Sequence, residues 1–331
     1  MIITKTPYRI SFFGGGTDYP PWYRENGGAV LATSIDKYCY ISCRTLPPFF
    51  EHKHRIVYSR IENVRELDEI QHPSVREVFR WAKVDRGLEV HHDGDLPARS
   101  GLGSSSSFTV GLIHALRALD GRYSSKDELA RLAIHVEQDL IGENVGSQDQ
   151  ISAAYGGFNR IEFLRSGDFV VSPVILGPGR LDELSSHLML FFTGVTRIAS
   201  EIASDQIANI SSRQTELQRM HGMVDEALGI LTDRDRTIED FGRLLDEAWR
   251  YKRSLSARVS TPHIDNIYDT ALRAGALGGK LLGAGGGGFL LLFARPSQQD
   301  AIRQALQNLI YVPFKFDNTG SSVAVYQPAG L

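Results

Sequence analysis

Residues 96–107, LPARSGLGSSSS, stand immediately before FTVGLIHALRAL, an apolar run with helical spacing. Glycines let a backbone approach a ligand closely, because no side chain blocks the way. The N-terminus of a helix offers unpaired N–H groups and the positive end of the helix dipole, which both favour a phosphate. Serine hydroxyls add donors and can ligate Mg²⁺. The stretch predicts a phosphate-binding loop, and a flexible turn with serine caps is the alternative.

Two more glycine-rich segments lie towards the ends of the chain. Residues 7–19, PYRISFFGGGTDY, place three glycines after an apolar strand, which indicates a turn beside a ligand or an ordinary strand-end turn. Residues 280–289, KLLGAGGGGF, formally match the dinucleotide pattern G-x-G-x-x-G. However, an apolar strand follows where that pattern needs a helix, and Leu281 stands where a P-loop needs Ser or Thr. The sequence therefore argues against both of these nucleotide-binding folds.

The composition is typical of a folded globular protein, with 331 residues, 42% hydrophobic and 23% charged. The 36 Lys+Arg against 39 Asp+Glu give a formal charge of -3, so there is no electrostatic case for binding nucleic acid or an anionic membrane. The longest apolar run, FLLLFA at 289–294, is too short to cross a bilayer, and a cytoplasmic location is expected. Cys39 and Cys43 lie on one predicted strand, about 13 Å apart and too far for a disulfide.

The order of predicted elements indicates an α+β chain of two lobes, with residues 1–180 forming the first and residues 181–331 the second. Short strands fill the first 60 residues, and Ser125 begins a helix as the cap of a capping box. In the second lobe the spacing predicts two long amphipathic helices, at roughly 197–231 and 237–258, before further strands.

Taken together, the three glycine-rich segments resemble, in order and in position, the three signature motifs of the GHMP kinases. This family is named for galactokinase, homoserine, mevalonate and phosphomevalonate kinases. The middle motif, P-x-x-x-G-L-G-S-S-S, is the most specific, and the resemblance covers nearly the whole chain. It implies an N-terminal ATP-binding lobe of mixed β-sheet and helices and a ferredoxin-like C-terminal lobe. It also implies an enzyme that uses ATP and Mg²⁺ to phosphorylate a sugar-type alcohol.

The same resemblance implies roles for individual residues. The segment from Val136 to Gln150 looks like the galactokinase segment in which a glutamate stands twelve residues before the aspartate of an Asp-Gln pair. On this match Glu137 is the Mg²⁺ carboxylate, and Asp149 is the catalytic aspartate with Arg9 beside it. The residues implied to bind ATP, of which Ser104 or Ser105 would bind Mg²⁺, are Gly101, Leu102, Gly103, Ser104, Ser105 and Ser106. The residues implied to bind the sugar are Gly14, Gly15, Gly16, Thr17, Asp18, Gly285 and Gly286.

The first motif also bears on the substrate. Galactokinases have Gly-Glu-His where this chain has Gly-Gly-Gly at 14–16, and the form FFGGGTDYP is more similar to bacterial kinases of D-glycero-D-manno-heptose 7-phosphate. That resemblance implies phosphorylation of the anomeric hydroxyl to a 1,7-bisphosphate. A sugar phosphate needs cations in its pocket, and at least one of Arg197, Lys252 and Arg253 is predicted to contact the phosphate. The alternatives are a fucokinase-like or galactokinase-like enzyme, or a non-catalytic relative that binds ATP and sugar.

Overall fold

The computed structural model describes residues 1–194, 199–233 and 235–329, and the strands of this part build two sheets. Numbered along the chain, the strands are β1 (Ile2–Phe13), β2 (Gly28–Thr45), β3 (His54–Val57), β4 (Ile61–Val64), β5 (Leu88–Gly94), β6 (Phe158–Phe163), β7 (Phe169–Pro173), β8 (Leu188–Phe192), β9 (Ala276–Leu281), β10 (Phe289–Ala294), β11 (Ile310–Tyr311), β12 (Phe316–Asp317) and β13 (Ser322–Tyr326). The α-helices are α1 (Pro20–Asn26), α2 (Pro73–Trp81), α3 (Ser104–Leu119), α4 (Lys126–Ile134), α5 (Gln148–Tyr155), α6 (Pro178–Ser186), α7 (Ala199–Ala208), α8 (Gln214–Thr232), α9 (Glu239–Ser254), α10 (Pro262–Arg273) and α11 (Gln299–Ala305). Within these ranges no helix is long and apolar enough to cross a membrane.

The larger sheet has nine strands among the described residues. Its main path is β13-β1-β2-β5-β3-β4, with β6 and β12 also paired to β2, and β7 paired to β6. β1 and β2 form a long antiparallel pair, from Ile2 opposite Cys43 to Phe13 opposite Leu31. Every residue of β1 from position 6 onwards is buried, because α3 and helices of the second lobe pack against this strand. The end of β1 is therefore held in the interior of the molecule.

The smaller sheet has the order β11-β8-β10-β9, and all of its neighbouring strands are antiparallel. Counted along the chain, this is the order fourth-first-third-second. Helices α7 to α10 connect the first strand to the second, and α11 connects the third to the fourth. The predicted α+β class and ferredoxin-like second lobe are confirmed by this arrangement. The chain then returns to the larger sheet, where β12 pairs with β2 and β13 pairs with β1.

Two helices begin at their predicted caps, whereas one predicted helix is broken. α4 follows Ser125, whose hydroxyl accepts a hydrogen bond from a backbone N–H of the first turn, and α10 follows Thr261 in the same way. The prediction of one helix over 197–231 is wrong in its middle, because a short 3-10 segment separates α7 from α8. Asn209 lies at this break, and its side-chain amide donates to the carbonyl oxygen of Leu255 at 3.0 Å. Asn and the serines that follow it are weak helix formers, since their side chains compete for backbone hydrogen bonds.

Aromatic rings join the two lobes into one core. Phe12 and Phe13, the last residues of β1, pack edge to face against Phe241 of α9 with ring centroids 5.5 and 5.0 Å apart. Phe241 also contacts Phe293 of β10, and all four rings are fully buried. Edge-to-face pairs add to the stabilisation from apolar burial. The three glycines of the first glycine-rich segment therefore follow a point that both lobes hold in place.

Helix α9 crosses β9 where two glycines leave no room for a side chain. A Cβ on Gly242 would lie 2.4 Å from Cδ1 of Phe293, and a Cβ on Gly278 would lie 2.0 Å from the carbonyl oxygen of Gly242. Atoms cannot approach this closely, so close contact of the helix with the sheet depends on both glycines.

We expect Gly242→Ala to lower the free energy of unfolding by about 1–3 kcal/mol, because the added methyl group overpacks the core. Gly229→Ala in α8 is the matched control, since no described atom lies within 4 Å of its Cβ position. The control should raise the free energy of unfolding by up to about 1 kcal/mol, as alanine is the better helix former. Denaturant titration of both variants measures these changes. If Gly242→Ala were as stable as the Gly229→Ala control, the close packing of α9 against the sheet would be contradicted.

Candidate active site

An arginine on β1 holds an aspartate at the start of α5. Nε of Arg9 donates to Oδ1 of Asp149 at 2.7 Å, and Nη2 donates to Oδ2 at 2.9 Å. Nη1 donates to the carbonyl oxygen of Gly101 at 2.7 Å. The side chain of Arg9 is 4% exposed and that of Asp149 is 26% exposed. The carboxylate is therefore fixed through both oxygens and remains accessible to a ligand.

The loop predicted at 96–107 lies against this ion pair. Gly101 and Gly103 have positive φ angles of 85° and 74°, and Gly103 is the cap of α3. A Cβ on Gly103 would lie 3.3 Å from Cγ of Arg9 and 3.4 Å from Oδ2 of Asp149. The first N–H groups of α3 have no partner within the helix, and the helix dipole is positive there. An anion at the start of α3 would consequently lie beside Asp149.

The third glycine-rich segment supports this loop from the second lobe. A Cβ on Gly101 would lie 2.4 Å from the carbonyl oxygen of Leu282, and a Cβ on Gly283 would lie 2.4 Å from Cα of Gly101. The N–H of Phe289 donates to the carbonyl oxygen of Ser100 at 3.1 Å. Backbone meets backbone at these points, which explains why both segments are rich in glycine.

Glu137 lies in a π turn that follows α4 and is fully buried. Its Oε2 accepts hydrogen bonds from Oγ of Ser106, at 2.8 Å, and from the side-chain amide of Gln150. Its Oε1 has no hydrogen-bond partner among the described residues. Burial raises the pKa of Glu137 to about 7, while the nearby hydroxyl groups of Thr109 and Ser106 act in the opposite direction. π turns are frequent at functional sites.

These groups fit a Mg²⁺ ion. Magnesium prefers oxygen ligands, and it is usually held by one or two carboxylates together with substrate phosphates and water. The unpartnered Oε1 of Glu137 and the hydroxyl of Ser106 would be such ligands, near the N-terminal end of α3. Over the described residues, no group of three His, Cys, Asp or Glu side chains could hold a metal ion. A metal here would therefore need oxygens from a substrate.

The serine that contacts Glu137 is Ser106, whereas the sequence pointed to Ser104 or Ser105 for the metal. Oγ of Ser104 instead accepts a hydrogen bond from the N–H of Arg99 at 3.1 Å, and Ser105 is exposed. The rotation of the first turn of α3 decides which hydroxyl faces Glu137, and a run of four serines does not reveal that rotation.

Asp18 lies beside the turn that the first glycine-rich segment makes. Its Oδ1 accepts from the N–H of Gly16 and its Oδ2 accepts from the side-chain amide of Gln148, both at 2.9 Å. The residue is 2% exposed, and burial raises the pKa of its carboxyl group. A Cβ on Gly146 would lie 1.8 Å from Oδ2 of Asp18, so a glycine is required there.

Thr17 and Gly14 shape this turn. The hydroxyl of Thr17 lies within hydrogen-bond distance of two carbonyl oxygens, that of Gly14 at 2.8 Å and that of Ala29 at 2.9 Å. A Cβ on Gly14 would lie 1.9 Å from the carbonyl oxygen of Ala29. The turn therefore packs directly on β2, which fixes the backbone from which Asp18 extends.

Lys252 of α9 brings a second cation to the same place. It is 5% exposed, and its ammonium donates to the carbonyl oxygen of Gly283. Burial lowers the pKa of Lys252 to about 8, and Arg9 acts in the same direction, while Asp18 and Asp149 oppose the shift. Lys252 is thus close enough to feel the charges of the ion pair and of the buried aspartate.

Lys280 is a third buried cation, on β9. It is 3% exposed, and its Nζ donates to the carbonyl oxygen of Phe12 at 2.9 Å. Burial holds the pKa of Lys280 well below its ordinary value, and the charge of Lys252 lowers it further. This contact ties the second lobe to the end of β1.

Three further predicted substrate residues have other partners. Arg253 pairs with Asp265 at 2.8 Å, although it is next to Lys252 in the chain. Gly285 and Gly286 pack on the loop between α9 and α10. Arg197 lies outside the described residues.

The sequence reasoning did not single out Gln148, Gln150 or Lys280. The two glutamines flank Asp149 in Gln-Asp-Gln at the start of α5, and their amides reach Asp18 and Glu137 respectively. That pattern was a usable signal, because side-chain amides donate hydrogen bonds that can fix neighbouring carboxylates. Lys280 was visible as the one charged residue of the run ALGGKLLGAGGGGFLLLFA.

Comparisons with known proteins identify the family of this chain. Residues 70–157 match the family described as GHMP kinases N terminal domain, and residues 226–312 match GHMP kinases C terminal. A D-glycero-alpha-D-manno-heptose 7-phosphate kinase of Campylobacter jejuni is 31% identical over 320 residues, which cover 92% of this chain and 93% of that protein. A bifunctional fucokinase/GDP-fucose pyrophosphorylase of Arabidopsis thaliana is 27% identical over 92% of this chain and 31% of its own length.

A solved structure supports the fold. The crystal structure of a D-glycero-D-manno-heptose 1-phosphate kinase from Bacteroides thetaiotaomicron matches with a TM-score of 0.80 and 24% identity, covering 99% of this chain and 100% of that one. The chain therefore belongs to the GHMP kinase family, as a sugar kinase that takes its phosphoryl group from ATP.

Proposed function

We propose that this kinase phosphorylates the anomeric hydroxyl of D-glycero-D-manno-heptose 7-phosphate, giving the 1,7-bisphosphate. The observation that carries the chemistry is the Arg9–Asp149 pair, which holds a carboxylate beside the free N-terminus of α3. The choice of sugar is supported by the 31% identical heptose 7-phosphate kinase and by the Gly-Gly-Gly-Thr-Asp form of the first segment.

The nucleotide end of the proposed site is the start of α3. The backbone and hydroxyl groups from Gly101 to Ser106 would bind the phosphates of ATP, as free N–H groups at a helix N-terminus favour anions. Mg²⁺ would be held by Glu137 together with Ser106, and Ser104 or Ser105 would add a further hydroxyl. The ion would neutralise part of the phosphate charge.

Asp149 would orient the acceptor hydroxyl and take its proton while the new oxygen–phosphorus bond forms. The bond from the γ-phosphorus to its bridging oxygen breaks in the same step, and ADP leaves with the electron pair. Arg9 holds both oxygens of Asp149, so the carboxylate cannot turn away from the hydroxyl.

At the sugar end, Asp18 would accept hydrogen bonds from sugar hydroxyls, in the turn built by residues 14–16. The second lobe would contribute Gly285 and Gly286 to the same pocket. The phosphate already on the sugar would contact at least one of the three cations predicted for it, which are Arg197, Lys252 and Arg253.

A fucokinase-like activity is the second candidate. It is favoured by the Arabidopsis relative, which is 27% identical over 92% of this chain and is named for a fucokinase activity. Such an enzyme would use the same Asp149 chemistry on an unphosphorylated sugar.

We expect Asp149→Asn to lower kcat by about 10²–10⁴-fold, because an amide cannot take the hydroxyl proton. The KM for ATP should change little. Asp139→Asn is the matched control, since that side chain is largely exposed and pairs with His135. Initial rates from coupled ADP release measure both variants. A normal kcat for Asp149→Asn would remove the proposed role of this residue.

The need for Mg²⁺ is expected to depend on pH through Glu137. With a pKa of about 7, Glu137 is mostly protonated at pH 6 and must lose its proton to hold the ion. The Mg²⁺ concentration for half-maximal rate should therefore be about tenfold higher at pH 6 than at pH 8. In the metal-free protein the raised pKa stabilises the fold below the ordinary value of 4.5, and this contribution is lost as the pH rises through 7.

Glu137→Gln is the reference for this measurement. Its glutamine cannot titrate, so any pH dependence of its Mg²⁺ requirement comes from the titration of ATP. Glu128→Gln changes a partly exposed side chain of the neighbouring α4 that pairs with Arg117, and it should behave as the wild type. An equal pH dependence of the Mg²⁺ requirement in wild type and Glu137→Gln would disprove the role of Glu137.

A panel of acceptors tests the sugar. We expect kcat/KM for heptose 7-phosphate to exceed that for unphosphorylated heptose by about 100-fold, as charged hydrogen bonds to the phosphate contribute about 3 kcal/mol. Replacing Arg197, Lys252 and Arg253 together by alanine should remove this preference. An unchanged KM for the sugar phosphate in that triple variant would disprove the phosphate contact, and a faster rate with fucose would favour the second candidate.

A further inference from the structure

Two oxygen atoms on side chains that lie around Gly15 are buried and have no hydrogen-bond partner among the described residues. They are Oε1 of Gln148 and Oγ of Ser11. Both side chains approach Gly15, since a Cβ on that glycine would lie 3.7 Å from Oγ of Ser11 and 3.8 Å from Nε2 of Gln148. A buried oxygen without a partner destabilises the protein unless a ligand or water supplies a donor. Two such oxygens around one glycine indicate a place that a ligand completes.

The elements that carry these oxygens direct them to the site. Ser11 follows Arg9 by two residues on β1, and alternate residues of a strand share a face. Gln148 precedes Asp149 in the first turn of α5. Its Nε2 donates to Oδ2 of Asp18 at 2.9 Å. Because a carboxylate oxygen accepts this bond, the orientation of the amide is set, and Oε1 is left to accept from another group.

We propose that Gln148 determines specificity by accepting, through Oε1, a hydrogen bond from an acceptor hydroxyl close to the reacting one. Ser11 provides a second contact to the same part of the sugar. This inference rests on the proposed sugar kinase function and adds the residue that distinguishes among acceptors.

The chemistry of the amide oxygen sets the selection. It favours a hydroxyl, which donates, and it repels a carboxylate or any other oxygen without a proton at that position. A polyhydroxylated sugar is therefore favoured over an alcohol that carries a carboxylate there. An acceptor that lacks the matching hydroxyl leaves the buried amide oxygen without a donor. This cost lowers kcat/KM for that acceptor, and the amide thereby discriminates among substrates.

Gln148→Met tests the proposal, because it removes the amide and keeps the length of the side chain. We expect the KM for the acceptor to rise about tenfold, and the KM for ATP to stay within about twofold of the wild type. Gln150→Met is the matched comparison on the same helix. It should raise the Mg²⁺ requirement and leave the acceptor KM nearly unchanged, since its amide contacts Glu137.

A series of monodeoxy acceptors identifies the hydrogen bond itself. The sugar used is the one that the wild type turns over fastest. At one position the deoxy sugar should lower kcat/KM about tenfold in the wild type and should cause no loss in Gln148→Met. A merely structural role for Gln148 would leave the deoxy penalties equal in both proteins at every position, and this result would overturn the proposal.

Two further variants keep the test decisive. Ser11→Ala removes only an unpartnered hydroxyl, so it should fold, and it should raise the acceptor KM several-fold. If Gln148→Met does not fold, Gln148→Asn replaces it, because the shorter amide is withdrawn from the hydroxyl. An unchanged acceptor KM in a folded Gln148 variant would disprove this inference alone. A wild type that phosphorylates no sugar would disprove the proposed function as well.

Discussion

The guanidinium of Arg9 is the contact on which the rest of the site depends. It belongs to β1, it donates to the loop before α3 through the carbonyl oxygen of Gly101, and it grips α5 through Asp149. A lysine could not replace it, because an ammonium is a point donor and the arginine fork binds both carboxylate oxygens at once. Arg9 is nearly buried, so removing the charge of Asp149 would leave the guanidinium without its ion-pair partner in the interior. One side chain thus fixes the spacing between the aspartate and the start of α3.

Close backbone packing links the loop before α3 to the second lobe. Gly283 touches Gly101, and Phe289 donates to Ser100, so the loop that carries Gly103 is pressed between the lobes. The ring cluster around Phe241 and the Lys280 contact hold the end of β1 from the same side. The lobes are therefore not joined by a loose hinge beside the site, because buried residues of both lobes belong to a single hydrophobic core.

Motifs and their spacing could be interpreted from the sequence alone. Contacts that depend on the rotation of a helix about its axis could not. Through their resemblance to the GHMP kinase motifs, the order of the three glycine segments and the twelve-residue spacing from Glu137 to Asp149 implied the fold and the residues of the site. The partner of Glu137 among four consecutive serines is set by the rotation of α3, which places Ser106 there. At the break between α7 and α8, the side chain of Asn209 makes a tertiary hydrogen bond to Leu255. The helical spacing of apolar residues does not reveal such a contact. The roles of these residues in catalysis and binding stay predictions until they are measured.

The pairing of β1 with β13 has a consequence for biosynthesis. During translation β1 can pair early with β2, while its other edge waits for a strand that emerges almost a whole chain later. An open edge on a nascent chain can recruit a neighbouring polypeptide and begin aggregation. The first residues of β1, from Ile2 to Lys5, are covered only once β13 has left the ribosome, so a slow ribosome would lengthen the interval in which chaperones must shield this edge.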